Sequence, residues 1–202
     1  MTKSTVSLHL VVCAALPLVL ACEGRSSTAA DPSGAVAPSV LASSSTRSLS
    51  SVGRTTAVRV DMQDACDPDT FNAVLGPGGC TRTGGMTFDQ FSATLTKLGF
   101  VGPWHFAPNT ANVQADTAFL ALNQGGETHT FTEVAQFGGG IVPSLNDAAG
   151  VPTIAPECAA LEPDDFVRPG GTYTETVNTT GTVRFQCCIH PWMRLEAQVS
   201  SR

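Results

Sequence analysis

Beyond residue 56 the polar and apolar positions of this chain follow a short period. Val58, Val60 and Met62 alternate with Arg59 and Asp61, the spacing of a half-buried strand. Runs rich in β-branched or aromatic residues at 118–122, 128–131, 172–177, 182–187 and 194–199, separated by Gly and Pro, predict five more strands. One segment breaks this rhythm. Phe88, Phe91, Leu95 and Leu98 recur at helical spacing, behind a capping-box pair of Thr87 and Gln90 and ahead of Gly99, so this stretch predicts a single short helix with its stripe in the core. The stretch 66–80 reads as a loop, and 138–171 as a long insertion without sustained period. Many short strands joined by long turns predict an all-β protein, an antiparallel sandwich.

The first residues follow a different pattern. Lys3 precedes an apolar run at 8–20 that His9 and Pro17 interrupt and that is too short to span a bilayer comfortably, which is the form of a secretory signal. Val19-Leu20-Ala21-Cys22 resembles the lipobox of bacterial lipoproteins, and the resemblance implies that Cys22 is acylated and becomes the mature N-terminus. Residues 22–56 are Ser, Thr, Ala, Gly and Pro with no hydrophobic period, so they cannot bury enough surface to offset their ordering entropy and read as a disordered tether. The expected organisation is a signal peptide at 1–21, a tether at 22–56 and a folded domain at 57–202. The expected location is exported, lipid-anchored at a membrane surface facing the periplasm or cell exterior.

Composition narrows the function classes. A chain of 202 residues accommodates one ordinary domain with appendages, which excludes a large multidomain enzyme. Seven cysteines with only 14% charged residues fit an exported, β-rich protein. Residues 57–202 hold 15 acidic and 7 basic side chains, a balance that discourages nucleic-acid binding and favours a partner with a basic docking face.

The candidate chemistry lies in Thr182-Val183-Arg184-Phe185-Gln186-Cys187-Cys188-Ile189-His190-Pro191-Trp192-Met193. As a strand, it puts Val183, Phe185 and Cys187 on the core face and Arg184, Gln186 and Cys188 on the other. Cys187, His190 and Met193 then offer a thiolate, an imidazole and a thioether from one tight loop, a soft set suited to copper rather than to magnesium or calcium. A second imidazole is available at His129, which shares the inward face with Phe131 in a strand fed by the turn from Asn123.

With these residues in view, the chain resembles the cupredoxins, the blue type-1 copper family of plastocyanin, azurin and amicyanin. The similarity covers roughly 118–199, and the Cys-x-x-His-x-x-Met spacing with Pro after the His is most similar to amicyanin. The resemblance implies a Greek-key β-sandwich holding one type-1 copper ion. His129 and His190 are the implied imidazole ligands, Cys187 the thiolate and Met193 the weak axial ligand. It implies a carrier of single electrons between redox partners rather than an enzyme. Copper storage, delivery or sensing without redox turnover is the alternative. A copper enzyme would need further histidines, and only His105 is left over in the folded part, where the bland reading is a packed or surface residue.

Other readings of the segment stay open: Cys187 in a disulfide strand, or a shifted frame in which Cys188 is the ligand. Pro191 would stiffen the loop, and Trp192 would shield the metal or form an apolar docking patch around the exposed edge of His190. Thr130 would hydrogen-bond toward the thiolate sulfur.

The resemblance also bears on the odd cysteine count. Cys13 leaves with the signal and Cys22 is acylated, which leaves five, and Cys187 is the one committed to copper. The remaining four allow three pairings; short spacing favours Cys66 with Cys80, leaving Cys158 for Cys188.

Overall fold

A computed structural model describes residues 57–202; the signal peptide, the tether and Cys22 lie outside the described residues. Eight strands form two four-stranded sheets. The first runs in the order β2 (His105–Ala107), β1 (Ala57–Gln63), β4 (Thr117–Asn123), β6 (Thr172–Val177). The second runs β3 (Thr110–Gln114), β8 (Arg194–Ser200), β7 (Gly181–Gln186), β5 (Thr132–Val134). Both sheets are mixed, which corrects the antiparallel expectation: β1 pairs parallel with β4, and β3 parallel with β8. The crossing connections that permit parallel pairing are long ones, invisible to a pattern that reads each strand separately.

The two sheets face each other across one core. Val60, Met62, Phe119 and Ala121 of the first pack toward Val183, Phe185, Leu195 and Ala197 of the second. Phe131 stacks on Phe185 with ring centres 4.4 Å apart, and Phe119 lies 5.2 Å from Phe185. Burying aromatic rings of this size supplies much of the core's hydrophobic stabilisation.

Helices close one end of the sandwich. Within the stretch expected to be a loop, α1 (Pro68–Leu75) is capped by the Asp67 side chain, which accepts from Thr70 N–H, and starts on a proline. Helix α2 (Phe88–Leu98) has the expected capping box between Thr87 and Gln90 and ends on Gly99 in the left-handed conformation, at φ 75°. Its stripe is only partly core: Phe91 and Leu95 are buried, whereas Leu98, in the last turn, is 52% exposed. The insertion is also structured, with α3 (Pro143–Ala148) and short 3-10 turns at Pro156–Ala160 and Pro163–Asp165. Residues 128–131 make only an isolated bridge, His129 with Val167, before β5 begins at Thr132. No helix among the described residues is long and apolar enough to cross a membrane.

Candidate metal centre

Strand β7 delivers the centre's sulfur. Its last inward residue, Phe185, sets the phase, and Cys187 follows two residues later on the same face, fully buried. The chain then folds into a loop closed by two backbone hydrogen bonds, from Met193 N–H to His190 C=O (2.9 Å) and from Cys187 N–H to Met193 C=O (3.0 Å). That closure turns His190 back over Cys187. Pro191, which has no N–H to satisfy, occupies the bend.

His129 arrives from the opposite side, held by a reciprocal pair of backbone hydrogen bonds with Val167 (3.1 and 2.8 Å). The Nδ1 atoms of His129 and His190 each lie 3.8 Å from Cys187 Sγ. Among the described residues these three side chains converge tightly enough to hold a metal ion. Met193 is fully buried at the end of the same loop. His105 stands apart, exposed on β2, with its ring nitrogen 3.1 Å from Pro103 C=O.

Behind each imidazole stands a carboxylate. His129 Nε2 donates to Asp64 Oδ2 at 2.9 Å, and both side chains are buried. Asp64 is itself fixed by backbone N–H groups of Cys66, Gly126 and Glu127. Gly125 has to be a glycine here, because a Cβ at that position would collide with the Asp64 carboxylate. Glu127 lies 3.6 Å from His190 Nε2 and accepts from the Trp104 indole N–H at 2.6 Å. Both carboxylates therefore leave Nδ1 as the free nitrogen facing the sulfur.

The charges interlock. Burial alone would raise the Cys187 thiol, but the hydrogen bonds and charge of the two imidazoles outweigh it and hold the thiol well below its usual range. Burial opposes protonation of His129, yet Asp64 and the Cys187 thiolate lift it to about 9. Asp64, despite its burial, is held down at about 2, chiefly by His129 and the N–H groups of Glu127 and Gly126. Burial pushes the Glu127 carboxyl up, against the pull of His190 and the Trp104 N–H.

Two backbone N–H groups point at the sulfur, from Thr130 at 3.4 Å and His190 at 3.5 Å. The expected sulfur contact of Thr130 is thus made by its amide. Its hydroxyl instead accepts from Cys188 N–H at 2.8 Å. Trp192 is half-buried with its ring 5.6 Å from that of His190. The expected exposed edge of His190 is absent: the residue is 2% exposed, beneath a cleft walled by α2 and α3. Cys187 is free, while Cys66–Cys80 and Cys158–Cys188 are disulfides.

Asp64, Glu127 and Trp104 belong to this site and carry no sequence signal of it. Asp64 precedes its imidazole partner by 65 residues and sits just past a strand; only the fold brings the two together.

No family profile and no curated protein matches the sequence. Solved structures do resemble it. A plastocyanin from Dryopteris crassirhizoma is 16% identical, aligned over 71% of this chain and all of that one, with a TM-score of 0.36. A purple cupredoxin from Nitrosopumilus maritimus is 11% identical over 70% of this chain and 98% of that one, with a TM-score of 0.39. An amicyanin variant in its Cu(I) form is 16% identical over 46% and 70% of the two chains, with a TM-score of 0.31. Each is a distant likeness, and the chemistry of the site stands on its own side chains.

Proposed function

We propose that this protein binds one copper ion as a type-1 centre and carries single electrons between redox partners. The ligands are His129 Nδ1, Cys187 Sγ and His190 Nδ1, with Met193 as the weak axial donor. The observation that supports this most directly is the buried, unpaired Cys187 with an imidazole Nδ1 3.8 Å away on either side. Two imidazoles, one thiolate and a thioether form the donor set of blue-copper electron-transfer sites. Copper bound there supplies a one-electron couple.

The chain's own groups fit that task. Asp64 fixes the His129 ring, and Glu127, braced by Trp104, stands behind His190, so neither imidazole is free to swing with a change of metal charge. The N–H groups of Thr130 and His190 withdraw electron density from the sulfur, which favours the reduced state. The closed 187–193 loop and the buried ligands exclude water. The acidic folded domain suits a partner with a basic face, and acylated Cys22 would hold the carrier at a membrane surface of the periplasm or cell exterior.

Loading the protein with Cu(II) should give the intense visible thiolate-to-copper absorption and the narrow paramagnetic splitting of a type-1 centre, and Cys187→Ser should abolish both. A colourless adduct, or colour that survives the substitution, refutes the assignment. A second reading, copper storage or delivery without turnover, is favoured by the burial of His190. Rapid reduction by a protein reductant with copper retained supports the carrier. Ready copper loss to a chelator with slow reduction supports delivery.

A further inference from the structure

The fold closes the outlet that an electron carrier would be expected to use. His190 is 2% exposed beneath the cleft walled by α2 and α3, so a flat partner surface cannot reach its ring. Within the loop 187–193 only Ile189 and Trp192 are not buried. Ile189 is aliphatic and offers no π system. The Trp192 ring meets that of His190 edge-on, with centres 5.6 Å apart, and is the one aromatic group of the loop that touches a proposed ligand and also reaches solvent.

The setting of this indole is unusual. Its Nε1–H is buried and has no hydrogen-bond partner among the described residues, so what the ring shows to solvent is its carbon edge. An indole ordinarily turns its N–H to water or to an acceptor, because a buried donor without a partner costs free energy. Here Phe91, with its ring 6.0 Å away, and His190 hold the ring the other way. That orientation gives up a hydrogen bond and gains an apolar aromatic edge directly beside the metal centre, the kind of anchor on which protein contacts depend most.

We propose that the outer edge of Trp192, in place of a His190 edge, is the surface at which the centre exchanges electrons, against an apolar face of its redox partner. An outlet of this kind presupposes the carrier reading. In each exchange one electron passes from the partner's redox group across the indole and His190 to the copper site. The partner is oxidised by one electron and Cu(II) is reduced to Cu(I). No bond forms or breaks, no proton moves, and Trp192 begins and ends as the neutral ring.

Two measurements on the full chain test this. In the copper-free protein a neutral nitroxide in solution should broaden the Trp192 ring protons strongly and spare those of His190 and of Trp104, which is 1% exposed. Equal broadening of His190 and Trp192 overturns the proposal without the need for any variant. In the copper-loaded protein, electron self-exchange between Cu(I) and Cu(II) copies is read from resonance line widths at high salt, which screens the repulsion between acidic domains. Trp192→Leu should slow the exchange about tenfold or more, the scale of losing an aromatic anchor at the centre of an interface, while Trp192→Phe, which keeps a ring beside His190, recovers most of the rate. Both variants should keep the visible absorption of the parent. An unchanged rate in Trp192→Leu with the absorption intact overturns the outlet and leaves the copper centre standing. Loss of the absorption in either variant overturns it as well, because the indole then shapes the centre instead of serving it. No absorption in the parent overturns both the outlet and the carrier reading.

Discussion

Cys187 and Cys188 are consecutive and both completely buried, yet the two sides of the strand end put them into different chemistry. Cys187 faces the main core, beside two imidazoles that pull its thiol toward the thiolate. Cys188 faces outward into a small separate cluster with Val134, Ala155 and its disulfide partner Cys158. Strand alternation separates the two thiols, and their neighbours then decide what each becomes. Thr130 stands between the two sides, with its N–H on the Cys187 sulfur and its hydroxyl on the Cys188 amide. Gly140 of the insertion lies so close to the Cys188 carbonyl that a Cβ there would collide with it, so the stapled insertion presses on the backbone that carries the ligand.

Removing the outer cysteine breaks this comparison most directly. Cys188→Ala opens a disulfide spanning 30 residues of sequence and should cost about 3–4 kcal/mol of stability in denaturant unfolding. The copper absorption should remain at temperatures where the variant is folded. Loss of the spectrum in folded Cys188→Ala would show that the two sides are not separable.

Asp64→Asn tests the inner side without touching a ligand. An amide accepts fewer of the three N–H groups and leaves His129 without its carboxylate, so copper affinity should fall about 10–100-fold in a chelator competition. An affinity equal to the parent's would mean that the carboxylate does not orient the ring.

Thr130→Val removes the hydroxyl that serves the Cys188 amide and keeps the amide that serves the sulfur. The orphaned N–H should cost about 1–3 kcal/mol of stability, with the absorption maximum nearly unmoved. A large spectral shift would instead tie the hydroxyl to the metal side.

Protons provide the finest test. In the copper-free protein Asp64 and the Cys187 sulfur lift His129 to about 9, while the two imidazoles hold the Cys187 thiol well below its usual range. Binding through Nδ1 must expel the imidazole proton, so apparent affinity should rise about tenfold per pH unit between pH 7 and 9 and level off above. In Asp64→Asn, which loses the largest influence raising His129, the plateau should begin at lower pH. An affinity independent of pH over this range would exclude an imidazolium at His129.

Part of this architecture is legible in the letters because it is local. The alternation of Val58, Val60 and Met62 marks β1, and Thr87 with Gln90 marks the start of α2. The phase of Val183, Phe185 and Cys187 assigns the cysteine to the core side before any fold is known. Some local signals are weaker than the structures they accompany. Asp67-Pro68 is a helix start, but α1 has a single buried residue, Phe71, and its pattern is too short to distinguish from a loop. Strands β2 and β3 are three and five residues long, and the polar content of β3 hides it.

By itself the sequence determined the candidate donors, because a thiolate, imidazole and thioether three residues apart in one loop need no fold to be recognised. It determined their phase as well, since side-chain direction along a strand follows from residue count. Only the tertiary structure decided what stands behind the donors: Asp64 from the end of β1, Glu127 from the turn after β4, Trp104 ahead of β2, and α3 over His190. The reason is physical. Periodicity reports on neighbours within a strand or helix turn, whereas a carboxylate meets an imidazole 65 residues away only because two sheets and an insertion bury both in the same place.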